Sequence, residues 1–106
     1  EAAYLFQAPE TYDETGLKKR WKDDSAHLVA AYADRLEADD AFTEESTEAA
    51  MRQLAEDEGV GFGRIIHPVR LAATGTPAGA GMFETLVVIG RVETIVRLRR
   101  AAGMLS

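Results

Sequence analysis

The 106-residue chain lacks cysteine altogether, has two histidines, and contains no apolar run near the roughly 20 residues that a membrane span needs. Without cysteine, disulfide scaffolds, thiolate zinc sites and cysteine nucleophiles are excluded. The opening "EAAYLFQ" lacks the basic flank and long apolar core of a signal peptide. We therefore expect one soluble cytoplasmic domain. Because the chain starts without methionine in helix-like sequence, we expect it to be part of a longer polypeptide.

Catalytic and metal-binding patterns are also scarce. Neither His27 nor His67 has a second histidine at metal-ligand spacing. The carboxylate clusters at 23–24, 39–40 and 56–58 lack the alternating spacing of a calcium loop. We therefore predict no metal, no catalytic residue and solvated acidic faces.

Charge is unevenly distributed along the chain. Residues 1–60 hold 16 acidic against 6 Lys and Arg side chains, which gives -10, and residues 61–106 hold 2 against 6, which gives +4. An arginine-rich face beside an acidic remainder can attract a polyanion in one orientation. Alternatively, the acids form solvated helix faces and the arginines balance helix ends.

Three stretches have clear helical patterns. A helix should start near Asp24 or Ser25, with Leu28, Tyr32 and Leu36 along one buried face. Thr43 is a good N-cap for a second helix, which Gly59 should end, and residues 92–100 fit a third. Between them, "RIIHPVRLAATG" and "TLVVIG" are rich in β-branched residues, and taken alone they suggest edge strands.

The loop "TGTPAGAG" contains three glycines but matches neither common nucleotide motif. A Walker-type loop needs a lysine, which is absent, and the dinucleotide fingerprint needs glycine where Glu84 stands. With Arg64 and Arg70 before it and Phe83 after it, the loop suits unstacked RNA bases, which guanidinium and aromatic planes can stack on. Two alternatives remain open: a corner between helices with Phe83 in the core, or a helical protein-interaction module that uses the apolar strip of the last helix.

Residues 61–101 resemble the carboxyl-terminal end of bacterial glutamyl-tRNA synthetases, and the likeness extends more loosely upstream to "YLFQAPETYD". The matching positions are Gly63-Arg64, Pro68-Val69-Arg70, Thr74-Gly75, Met82-Phe83-Glu84 and Gly90-Arg91-Val92-Glu93-Thr94.

The resemblance implies an all-α helical bundle, the "α-helix cage" anticodon-binding domain of class I aminoacyl-tRNA synthetases, with residues 64–74 and 82–89 helical. Residues 1–106 would form that domain, 1–12 ending a preceding helical subdomain and 61–106 carrying the motifs. The His-x-Gly-His and Lys-Met-Ser-Lys-Ser signatures of catalysis are absent. This fragment would therefore need no cofactor, and ATP and Mg²⁺ would bind the parent enzyme's catalytic domain.

The resemblance also assigns site residues and a partner. The expected partner is the anticodon loop of tRNA, bound by a monomer, with no role in DNA or membrane binding. Arg64 and Arg91 match basic positions that would face phosphate. The family's anticodon contacts fall on Arg70, Gly79, Ala80, Gly81, Met82 and Phe83.

Overall fold

The computed structural model describes residues 7–76, 79 and 81–105, and over these residues the protein is built from helices without strands. In chain order the helices are α1 (Glu14–Arg20), α2 (Ser25–Glu37), α3 (Glu44–Glu58), α4 (Gly63–Thr74), α5 (Met82–Ile89) and α6 (Arg91–Met104). The all-α helical bundle predicted from the resemblance is confirmed. Tyr4, Leu5 and Phe6, expected to close a preceding helix, lie outside the described residues.

The start of α2 and both ends of α3 follow from local sequence, as predicted. Thr43 and Ser46 cap α3 reciprocally: the Thr43 hydroxyl accepts the Ser46 N–H at 3.0 Å, and the Ser46 hydroxyl accepts the Thr43 N–H at 2.8 Å. Gly59 ends the helix with φ 69°, a left-handed conformation that suits glycine. Upstream, α2 begins at Ser25.

Helices α4 and α5 replace the edge strands that β-branched composition suggested locally, so that local interpretation is wrong. In α4, Ile65, Val69 and Ala72 are fully buried, and their spacing of four and three residues puts them on one helical face. That face packs against α2 and α6. Pro68 is accommodated in the second turn, where its missing N–H leaves only the carbonyl of the exposed Arg64 without a helical partner. Tertiary packing therefore outweighs strand propensity here.

The hydrophobic core draws on five of these helices, α2 to α6, with α2 packed chiefly on α6. Leu28, Leu36, Leu54 and Leu98 are all buried within it. Tyr32 is buried too, and its hydroxyl donates to the Thr47 carbonyl at 2.8 Å. Burial raises the pKa of Tyr32 above its ordinary value, so it stays a neutral donor.

Helix α1 packs on the outside of α4 and is held there at both ends. At its start, the Asp13 N–H donates to the Gly75 carbonyl at 2.8 Å. At its end, the Trp21 indole N–H donates to the Leu105 carbonyl at 3.0 Å. These bonds tie α1 to the end of α4 and to the end of α6. Across the described part of the chain, no helix is both long and apolar enough to cross a membrane.

Candidate nucleic-acid interface

Arg70 lies one turn before the end of α4 and reaches the glycine-containing loop. Its side chain is half-buried, and its Nη1 atom would lie 3.4 Å from a Cβ placed on Gly79. Gly79 itself is exposed, with φ 152°. The structure therefore brings together two of the residues that the resemblance assigned to one site.

Gly75 fixes where this loop begins. It ends α4 with φ 80°, and its N–H donates to the Leu71 carbonyl at 2.8 Å. A Cβ at this position would lie 2.9 Å from the Pro9 Cβ atom and 3.0 Å from the Thr11 carbonyl oxygen, closer than real Cβ atoms normally approach. Only glycine allows the segment before α1 to pack this tightly on the end of α4.

The far side of the loop is the start of α5. The Gly81 carbonyl accepts both the Thr85 N–H, at 3.0 Å, and the Thr85 hydroxyl, at 2.8 Å, which holds the backbone at this point. The Met82 side chain is 3% exposed and belongs to the core, so at this position only the backbone can meet a ligand. Ala80, also assigned to the site, lies outside the described residues.

Phe83 is half-buried, and its ring packs against that of Phe62 at a centroid distance of 6.3 Å and an interplanar angle of 46°. The Arg52 guanidinium lies over the Phe62 ring at 4.6 Å. Phe83 thus packs against the core cluster and keeps part of its side chain at the surface. It fits both earlier interpretations in part, the corner between helices with Phe83 in the core and the surface on which a base can stack.

The two arginines expected to face phosphate lie at opposite ends of α2. Arg64 pairs with Asp24, the N-cap of α2, at 2.6 Å between Nη2 and Oδ1. Arg91 donates from Nη1 to the carbonyl of Glu37, the last residue of α2, at 2.8 Å. With a rise of 1.5 Å per residue, these anchor points are about 20 Å apart. The two arginines therefore belong to separate surfaces, and each has a structural partner.

His67 lies one turn before Arg70 on α4. Its partial burial lowers the pKa of its imidazole below the ordinary value, and the charges of Arg20 and Arg70 lower it further. Arg20, at the end of α1, is thus part of the same electrostatic environment as Arg70. Sequence reasoning assigned no role to Arg20, and only the packing of α1 on α4 places it near Arg70.

Arg97 is a second residue whose role sequence reasoning missed. It is 1% exposed, donates from Nη1 to the Ala73 carbonyl at 2.9 Å, and pairs through Nε with Glu93 at 2.8 Å. The sequence pattern predicted only that the arginines could balance helix ends. Instead, Arg97 holds the last turn of α4, and with it Arg70 and Gly75, against α6.

These groups can bind a ligand, since they combine a guanidinium, exposed loop backbone and part of an aromatic ring beside a cationic helix. No three His, Asp or Glu side chains in residues 7–76, 79 and 81–105 are placed to hold a metal ion. A flat, polyanionic ligand matches the arrangement best.

Comparison with known proteins decides the family. A family model described as the anticodon binding domain matches residues 1–102. The chain belongs to this family. The expectation that it resembles the anticodon-binding part of glutamyl-tRNA synthetases is confirmed.

The proteins and the solved structure that are similar to this chain and are described below are all glutamate–tRNA ligases. The chain is 38% identical over 106 residues to a glutamate–tRNA ligase of Porphyromonas gingivalis, covering 100% of the chain and 21% of that protein. It is 42% identical over 103 residues to one of Phocaeicola vulgatus, covering 97% and 20%. A solved glutamate–tRNA ligase of Elizabethkingia meningosepticum superposes with a TM-score of 0.93 at 31% identity, covering 99% of this chain and 21% of that one. The chain thus spans about a fifth of these relatives.

Proposed function

We propose that this chain is the anticodon-recognising part of a glutamate–tRNA ligase, whose catalytic portion attaches glutamate to tRNA with ATP and Mg²⁺. The observation that carries the proposal is the Arg70 guanidinium beside Gly79, in a chain that matches the anticodon binding domain over residues 1–102. The fragment itself would need no cofactor. It would act as a monomer in the cytoplasm on tRNA, not on DNA or membranes.

In this proposal Arg70 reads a base. A guanidinium offers a planar fork of donors that can pair with a base edge or stack on its face. Its position against Gly79 puts that fork where the backbone is exposed. Gly79, Ala80 and Gly81 would contribute backbone groups, since none of them has a polar side chain.

The start of α5 supplies the other half of the proposed site. Met82 would contribute only its backbone, because its side chain is buried. Phe83 would offer the exposed part of its ring for stacking, steadied from behind by Phe62. Arg64 and Arg91 would add phosphate contacts on two separate surfaces, beyond their partners Asp24 and Glu37.

The test is binding of a glutamate-tRNA anticodon stem-loop and of a stem-loop with a changed anticodon, at one salt concentration. Arg70→Ala should weaken binding of the matched RNA by about 1 to 3 kcal/mol and remove most of the preference between the two. Arg70→Lys keeps the charge but not the fork of donors, so it should recover affinity without recovering the preference.

Arg91→Ala serves as the comparison, because its partner lies at the far end of α2. We expect it to weaken both RNAs by about the same factor. Unfolding curves for each variant separate loss of binding from loss of fold. If Arg70→Ala weakened both RNAs equally, Arg70 would not be reading a base. If the unaltered chain bound neither RNA, the anticodon-recognition proposal would be wrong.

A further inference from the structure

A basic cleft of about 330 Å³ lies between the end of α1 and the start of α4. Lys19, Arg20, Lys22 and Arg64 line it, and no carboxylate is among its lining residues. Within the described residues, Arg64 pairs with Asp24, whereas Lys19, Arg20 and Lys22 form no ion pair. Three of the four cations that line the cleft therefore have no ion-pair partner among the described residues.

The floor of the cleft suits close approach by an anion. Gly61 and Gly63 line it at the start of α4, and a Cβ on Gly61 would meet no atom within 4 Å. Helix α4 has no acidic residue in its first turn, so the positive end of its dipole is not offset there. The helix end adds to a field that the side chains of α1 already establish.

The cleft extends along α4 to within one turn of Arg70. His67 also lines it, and both Arg20 and Arg70 act on the His67 imidazole. From Gly63 to Arg70 the helix rises only about 10 Å. Cationic side chains thus lie on both sides of His67: Arg70 of α4 on the side of the loop, and Arg20 of α1 on the side of the cleft.

We infer that this cleft binds a backbone phosphate of the same RNA strand whose bases meet Arg70 and the loop. The inference rests on the proposed function and adds a second contact to it, one that is independent of base identity. Phosphate oxygens accept from lysine and arginine alike, and their position fixes the strand's register without reading sequence.

The matched test uses neighbouring charges on α1. Lys19→Gln and Arg20→Gln each remove a cation that lines the cleft, while Lys18→Gln removes one from an exposed position outside it. Both stem-loops are titrated with each variant at several salt concentrations. We expect the cleft variants to bind both RNAs about three- to ten-fold more weakly, and Lys18→Gln to change binding by less than about two-fold.

The salt dependence gives a second measurement from the same titrations. Losing one phosphate contact should reduce the slope of log affinity against log salt by about 0.7 to 0.9. Lys18→Gln should leave that slope nearly unchanged. If Lys18→Gln weakened binding as much as Lys19→Gln, only net charge would matter and the cleft assignment would be overturned.

A local readout comes from the His67 ring, followed by NMR across pH. Bound RNA should raise its pKa, because a phosphate offsets the positive charges of Arg20 and Arg70. Inorganic phosphate at the same concentration of phosphate groups should raise it much less. An equal effect of inorganic phosphate would identify a free-phosphate site instead, and no effect of RNA would place the strand elsewhere.

The outcomes separate this inference from the proposed function. Normal anticodon preference with unaffected cleft variants would contradict the cleft alone. Weakened binding by the cleft variants without any preference between anticodons would support the cleft and contradict base reading. Failure of the unaltered chain to bind either RNA would contradict both.

Discussion

Gly59 and Gly75 end α3 and α4 in the left-handed helical conformation, and of these two residues Gly75 alone is also crowded. Gly59 and Gly75 have φ of 69° and 80°. A Cβ on Gly59 would meet nothing within 4 Å, whereas one on Gly75 would collide with Pro9 and the Thr11 carbonyl. Glycine is therefore needed at position 59 for its backbone conformation alone, and at position 75 for its conformation and for close packing as well.

This pair gives a prediction about stability. Gly59→Ala should lower the free energy of unfolding by about 1 to 2 kcal/mol, the usual cost of a left-handed alanine. Gly75→Ala should lower it by more, because the segment from Pro9 to Thr11 must also move. Urea unfolding of both variants measures the difference. If both variants lost the same free energy of unfolding, the segment from Pro9 to Thr11 would move aside without lowering stability.

At the scale of whole helices, what matters for the candidate site is how α4 is held. Its buried face packs on α2 and α6, its end is bonded to the start of α1, and Arg97 of α6 donates to its Ala73 carbonyl. The turn that carries Arg70 is thus braced from two directions. Such bracing limits the ordering cost of binding a strand at this turn.

Replacing Arg97 tests that bracing. Arg97→Met keeps much of the side-chain volume but leaves the Ala73 carbonyl without this donor, which should lower the free energy of unfolding by about 1 to 3 kcal/mol. Arg100→Met, at an exposed position of the same helix, should change it by less than about 0.5 kcal/mol. Thermal or urea unfolding of the two variants measures this. Similar small effects would show that Arg97 contributes packing only.

At the scale of the whole molecule, folding brings charged residues from the two halves of the sequence next to each other. Counting by halves puts the positive excess in residues 61–106. In the fold, Arg64 and Arg99 from that half pair with Asp24, Asp34 and Glu37 from the acidic half. Of the four cationic side chains that line the cleft, Lys19, Arg20 and Lys22 come from the acidic half and Arg64 comes from the other. The cationic surface at the cleft therefore draws residues from both halves of the sequence and is not confined to the second.

That clustering predicts a pH effect on stability. Because the folded pKa of His67 lies below its unfolded value of about 6.5, the unfolded chain takes up the proton first as pH falls. Stability that is present above pH 6.5 is then lost as pH falls toward the folded pKa. His67→Gln should therefore lose less stability than the unaltered chain between pH 7.5 and 5. Urea unfolding at both pH values compares them, and parallel losses would contradict the prediction.

Local sequence by itself determined the start of α2, both ends of α3 and the buried stripe of Leu28, Tyr32 and Leu36. Caps and helical periodicity depend on residues within one or two turns of each other, so they can be read without a fold. The resemblance supplied the helical state of α4 and α5, and it named Arg70 with the loop. The subdivision at residues 12 and 61, and the roles of the site residues, stay predictions.

The tertiary structure decided what depends on residues far apart in the chain. The burial of Ile65 and Val69 against α2 and α6 shows that a β-branched stretch is a helix. Of the neighbours Met82 and Phe83, it placed one in the core and left the other half-exposed. It also packed α1 on α4, which creates the cleft at Arg20. Local patterns do not encode these outcomes, because each depends on which surfaces remain for a side chain once the other helices have packed.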